Sequence, residues 1–175
     1  ELSGRGAPTQ LDEERLDQLL DEVGYQSGSR RNVLLTHLYR GELRAGHAEY
    51  EVDHIFPRKK LGDRDYLENH GVEPERVEWY KDHRDHIANL QLLSSEGENQ
   101  SKSDRDFSDW LERVEAGEVK NLSGTKEYFD IHQIPQDEAK HEYAQFESFL
   151  MGESGRKRFI KDVLKETLTL SSSVQ

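Results

Sequence analysis

The 175-residue chain carries 34% charged against 33% hydrophobic residues and a formal net charge of −12, a polar balance for a folded protein. The absence of cysteine excludes disulfides and thiolate-held zinc, and no stretch reaches the roughly 18 consecutive apolar residues of a membrane span. The acidity also argues against a chain that grips nucleic acid unaided, because such surfaces are normally basic. With Glu1 in place of an initiating Met and a loose Ser171–Ser173 end, the chain reads as a piece of a longer, soluble, cytoplasmic protein.

Taken in order, Thr9 followed by Asp12, Glu13 and Glu14 signals a helix start, and Leu16, Leu19, Leu20 and Val23 form one apolar stripe that Gly24 can close. A second helix is expected after Ser29, turning Val33, Leu34 and Leu38 inward and ending near Gly41. From Glu49 the period becomes strand-like, Tyr50 and Val52 alternating with charges, and Pro57 forbids a simple continuation. Residues 61–86 are charged, contain Gly62, Gly71 and Pro74, and read as an insertion of short helical pieces. Ile87–Leu93 is the second strand candidate, and Asn99–Val114, with Phe107, Trp110, Leu111 and Val114 on one face, an amphipathic helix. Two further helices are predicted, one carrying Tyr143, Phe146, Phe149 and Leu150, the other Phe159, Val163, Leu164 and Leu168. The expectation is an α+β chain, helical in the main. It divides into an N-terminal helical flank (1–48), a strand-strand-helix core (49–115) and a C-terminal helical buttress and tail (116–175).

The chemistry concentrates in the core. At the end of a strand, Asp53 and His54 can both reach one phosphate, the imidazole as general base and the carboxylate as a hard ligand for a divalent cation. Asn89 enters the second strand where it could brace the His54 loop. Asn99, at the expected helix start, offers an amide oxygen to the same cation, and Lys102 lies one turn further, within reach of a scissile phosphate. Arg58, Lys59 and Lys60, and Arg156, Lys157 and Arg158, are local basic clusters where DNA phosphates would settle. Trp79 and Tyr80 could stack on bases, whereas the spacing of Trp110 suits the core. His83 and His86 could share a helical face, but surface or supporting roles are the better reading, given no further metal-ligand pattern.

Tyr50-Glu51-Val52-Asp53-His54-Ile55-Phe56-Pro57, then Asn89-Leu90-Gln91-Leu92-Leu93, then Asn99-Gln100-Ser101-Lys102 resemble the HNH, or ββα-metal, nucleases. The blocks and helical flanks are most similar to the C-terminal effector domain of GmrSD/SspE-type restriction proteins, which act against phage by sensing modified DNA. The resemblance implies a ββα-metal core and Mg²⁺- or Mn²⁺-dependent nicking or cleavage of phage or plasmid DNA. It assigns Asp53 and Asn99 as metal ligands, His54 as base and Asn89 as the structural middle residue. It further implies a prokaryotic cytoplasmic protein whose N-terminal nucleotide-hydrolysing domain senses modification and controls the nuclease. Many members carry Glu at the position of Asp53, which bears on metal distance. A degenerate domain that only docks to DNA or a partner is the alternative.

Overall fold

The computed structural model describes residues 13–40, 49–95, 98 and 102–172, the last helix beyond Glu166 by its backbone alone. Thr9, Gly41 and Asn99, each singled out in the sequence, lie outside the described residues. Helix α1 (Glu13–Glu22) has Glu13 and Glu14 in its first turn, where they face the positive end of the helix dipole, and it buries Leu16 and Leu20. Helix α2 (Ser29–Leu38) buries Leu34, Leu35 and Leu38. Val33 is 56% exposed, contrary to expectation, because it falls outside the stripe that these three leucines set.

Strands β1 (Tyr50–His54) and β2 (Leu90–Ser94) form a two-stranded antiparallel sheet in which Tyr50 pairs with Ser94, Asp53 with Gln91 and His54 with Leu90. Between them lie the short helices α3 (Arg64–Asn69) and α4 (Val77–His83). The backbone reaches β2 through a single 3₁₀ turn over Ile87–Asn89, so β2 starts three residues later than its apolar run suggested.

The amphipathic helix beyond β2 is α5 (Phe107–Glu115), which buries Phe107, Trp110 and Val114. It does not run unbroken from Asn99. Ser103 takes a left-handed backbone with φ 45°, and the chain turns before helix resumes after Asp106. Helix α6 (Thr125–His132) was not anticipated, since its apolar residues are few; it buries Tyr128 and His132 and ends on a left-handed Gln133. Helices α7 (Phe146–Met151) and α8 (Arg156–Ser172) complete the buttress. Phe56, on the turn after β1, meets the rings of Phe107, Tyr143, Phe146 and Phe149 at 5.0–5.4 Å between centroids, so the loop that carries the site is pinned into the core from the far side.

The second basic cluster does not face solvent as expected. Arg156 is fully buried and donates to the carbonyls of His132, Ala88 and Leu90, clamping α8 to the turn that opens β2. It cannot meet a phosphate. Lys157 pairs with Asp21 at 2.5 Å and Lys161 with Asp17, which fastens α8 to α1, while Arg158 stays exposed beside Asp162. Tyr80 is buried and offers no face to a base, while half-buried Trp79 is stacked on His83 at 3.9 Å with the Arg76 guanidinium 5.5 Å from its ring centre.

Candidate active site

His54 ends β1, where the chain leaves the sheet, and its ring is only 11% exposed. Its Nε2 lies 2.9 Å from Asp85 Oδ1, and its ring packs at 4.8 Å on Tyr25. Asp85 also accepts from Arg58 Nε at 2.8 and 3.1 Å. With Nε2–H donated to the carboxylate, the lone pair is on Nδ1, the tautomer a base requires. Burial lowers the His54 pKa and outweighs the opposing pull of Asp85 and Asp53, so the ring stays neutral into mild acid. Burial of Asp85 acts to raise its own pKa, but the hydrogen bonds from Arg58 and His54 prevail and hold it low, hence ionised.

Asp85 is a residue that sequence reasoning missed. It sits 31 positions from His54, at the end of the segment read as an insertion, and no local spacing marks it. Backbone contacts fix it: Tyr25 N donates to Asp85 O at 2.7 Å, and Gly24 bridges His86. A Cβ on Gly24 would lie 2.5 Å from Asp85 O, so glycine is needed for this close approach rather than for its dihedral freedom.

Asn89 is fully buried and holds the loop after His54 from both sides. Its Oδ1 accepts from Phe56 N at 2.9 Å, and its Nδ2 donates to Phe56 O at 3.0 Å and Arg84 O at 2.8 Å. Through Arg84 O it also ties the segment next to Asp85 to the same loop.

Asp53, next to His54, receives Lys102 Nζ at 2.9 Å and Gln91 Nε2 at 3.1 Å, both on Oδ2, and Tyr128 OH orients Gln91 from behind at 2.7 Å. Lys102 is itself fully buried and also donates to His54 O at 2.5 Å. The lysine expected at the scissile phosphate is instead enclosed, because an ammonium in the interior stays charged only against a partner such as Asp53. Burial lowers its pKa, with Asp53 opposing. The Lys102 and Gln91 contacts both fall on Oδ2, so Oδ1 is the oxygen of Asp53 that could meet a cation; among the described residues no group of three acidic or imidazole ligands occurs. One carboxylate oxygen suits Mg²⁺, which keeps several of its waters and takes few protein ligands.

Of the first basic cluster, Arg58 is 46% exposed and adjoins the His54–Asp85 pair, Lys59 is exposed, and Lys60 turns to Asp106 at 2.5 Å. His86 is buried against α1, its Nδ1 accepting from Ala88 N, and His83 bonds the carbonyl of Trp79.

An ionised carboxylate beside a neutral imidazole, next to a second carboxylate on a two-stranded antiparallel sheet, is an arrangement able to take a proton from water. The family model for the C-terminal domain of GmrSD restriction endonucleases matches residues 9–148, and the chain belongs to that family. No curated protein matches it. Membership makes this a restriction endonuclease domain with DNA as substrate. Among the described residues no helix is long and apolar enough to cross a membrane.

Proposed function

We propose that the chain is a metal-dependent, HNH-type endonuclease domain that hydrolyses phosphodiester bonds in DNA. The observation that carries this reading is the His54–Asp85 pair beside Asp53 at the exit of β1. Nδ1 of His54 takes a proton from water, the water oxygen attacks phosphorus, and the bond to the 3′ oxygen breaks. The imidazolium formed is stabilised by the Asp85 carboxylate, which also keeps the ring from rotating. Asp53 Oδ1, with the Asn99 amide, would hold Mg²⁺ or Mn²⁺. That ion supplies charge neutralisation at the phosphate oxygens and at the leaving 3′ oxygen. Lys102, Gln91 and Tyr128 keep Asp53 in place, Asn89 keeps the loop in place, and Arg58 and Lys59 supply phosphate contacts.

The net charge of −12 and the consumption of Arg156, Lys157 and Lys60 in internal contacts support a division of labour. In it an N-terminal nucleotide-hydrolysing sensor domain of the same prokaryotic, cytoplasmic protein delivers phage or plasmid DNA, and this domain supplies the cut. The test is conversion of supercoiled plasmid to open-circular or linear forms with Mg²⁺ or Mn²⁺ and its suppression by EDTA. Plasmid left intact under every metal tried would leave a docking module as the better reading.

A further inference from the structure

Arg31, Tyr25, His54, Asp85 and Arg58 form one continuous row. The Arg31 guanidinium lies 5.1 Å from the centre of the Tyr25 ring, Tyr25 packs at 4.8 Å on His54, and His54 leads through Asp85 to Arg58. The proposed base is thus linked by contacts to two guanidinium groups, through Tyr25 to one and through Asp85 to the other. Arg58 is spoken for by Asp85, but among the described residues the hydrogen bonds of Arg31 go to neutral oxygens, Tyr25 O at 2.5 Å and Asn32 Oδ1 at 2.9 and 3.1 Å. In a chain this acidic, a half-buried guanidinium held rigidly by a carbonyl and an amide, with its charge unneutralised by them, is a feature that asks for an anion.

Next to it is a cavity of about 570 Å³ between α2 and β1, lined by Tyr25, Arg31, Asn32, Thr36, Tyr50 and Val52. Its size falls in the range of small-ligand sites and accommodates one nucleotide. Glu51 also lines the cavity, so a phosphate there belongs on Arg31 and away from that carboxylate. Resting on the nuclease reading above, we propose that this cavity is a subsite for the nucleotide flanking the scissile phosphate. Its phosphate sits on Arg31, and its sugar and base lie between Tyr25 and Tyr50. The substrate strand then crosses His54 along the row, with Arg58 and Lys59 on the far side. A phosphate contact at Arg31, in addition to one near the base, helps to set the register of the strand.

The experiment uses fluorescence anisotropy of a short single-stranded oligodeoxynucleotide on the whole chain carrying His54→Ala, so that nothing is cleaved, across a series of low salt concentrations. Adding Arg31→Gln is expected to weaken binding by roughly tenfold and to reduce the slope of log K against log salt by about 0.7, the share of one phosphate on a single strand. Lys126→Gln, the same charge change on an exposed residue of α6, serves as control and is expected to leave the slope unchanged. Equal losses in both variants, an unchanged slope in Arg31→Gln, or no binding by the His54→Ala chain at the lowest salt would each overturn the subsite. Plasmid cleavage by the unsubstituted chain is scored separately. Cleavage with an inert Arg31 removes the subsite and keeps the nuclease, whereas binding through Arg31 without any cleavage removes the nuclease and keeps the nucleotide contact.

Discussion

His132 is fully enclosed between Tyr39, whose hydroxyl lies 2.8 Å from its Nδ1, and Tyr128, whose ring is 4.6 Å away. Burial, reinforced by the charges of Arg156 and Lys102, lowers its pKa to about 3. Burial likewise lowers that of His86 to about 4. Because both folded values lie below the 6.5 of a free imidazole, the unfolded chain takes up these protons first. The stability they carry is complete above pH 6.5 and is lost as the pH falls from there towards 3 or 4. The interval from 6.5 down to pH 5 is about 1.5 units, worth about 2 kcal/mol per histidine at about 1.4 kcal/mol per unit, or about 4 kcal/mol for the pair. That is a large part of the 5–15 kcal/mol by which domains are usually stable. Carboxylates contribute little in this interval, since unfolded Asp and Glu titrate mainly below it. Urea unfolding at pH 7 and pH 5 reads the effect directly. The parent is expected to lose at least about 4 kcal/mol, the lowered pKa of His54 adding to the pair, and His132→Phe about 2 kcal/mol less than the parent, on top of a pH-independent cost for the hydrogen bond lost by the Tyr39 hydroxyl. A His132→Phe chain that loses stability as steeply as the parent would refute the reasoning.

Asp85→Asn removes the partner that orients His54 and raises its pKa. The cleavage rate is expected to fall by about 10–100-fold, while the acid limb of the pH–rate profile moves to lower pH; a limb that moves up would contradict the assignment. Gly24→Ala places a methyl group against Asp85 O, so the backbone there must shift. The expected result is a similar loss of rate together with a measurable loss of stability, read by single-turnover cleavage and urea unfolding on the same sample. Lys102→Met leaves the Asp53 carboxylate partly buried without its cation and is expected to cost about 3–5 kcal/mol in urea unfolding. Adding Asp53→Asn should recover much of that loss, and failure to recover it would show that Lys102 acts through packing rather than charge.

Local chemistry carried much of this architecture into the sequence. The alternation at Tyr50–Val52 placed β1, and Pro57 marked where it must stop, which is why Asp53 and His54 were recognisable as residues at a strand exit. Asn89 reads as a brace from its place beside the apolar run, but the 3₁₀ turn that it ends is not legible there. What periodicity does not encode is pairing over distance. Asp85 lies in a charged stretch with Asp82, and only the approach of Gly24 and Tyr25 selects it for His54. Lys102 and Arg156 read as surface cations because most are. Their burial follows from a carboxylate in one case and backbone carbonyls in the other, brought in by β1 and by the turn before β2. The same limit applies to Arg31, whose neighbours become informative only once α2 is laid along β1.

If His54 is the base of a DNA-cutting site, removing its ring must slow the cut. Single-turnover cleavage of supercoiled plasmid with Mg²⁺ or Mn²⁺, comparing the unsubstituted chain with a folded His54→Ala variant, tests it most directly. A rate loss of about 10²–10⁴-fold is expected in the variant at neutral pH. Cleavage by His54→Ala within a few-fold of the parent would contradict it.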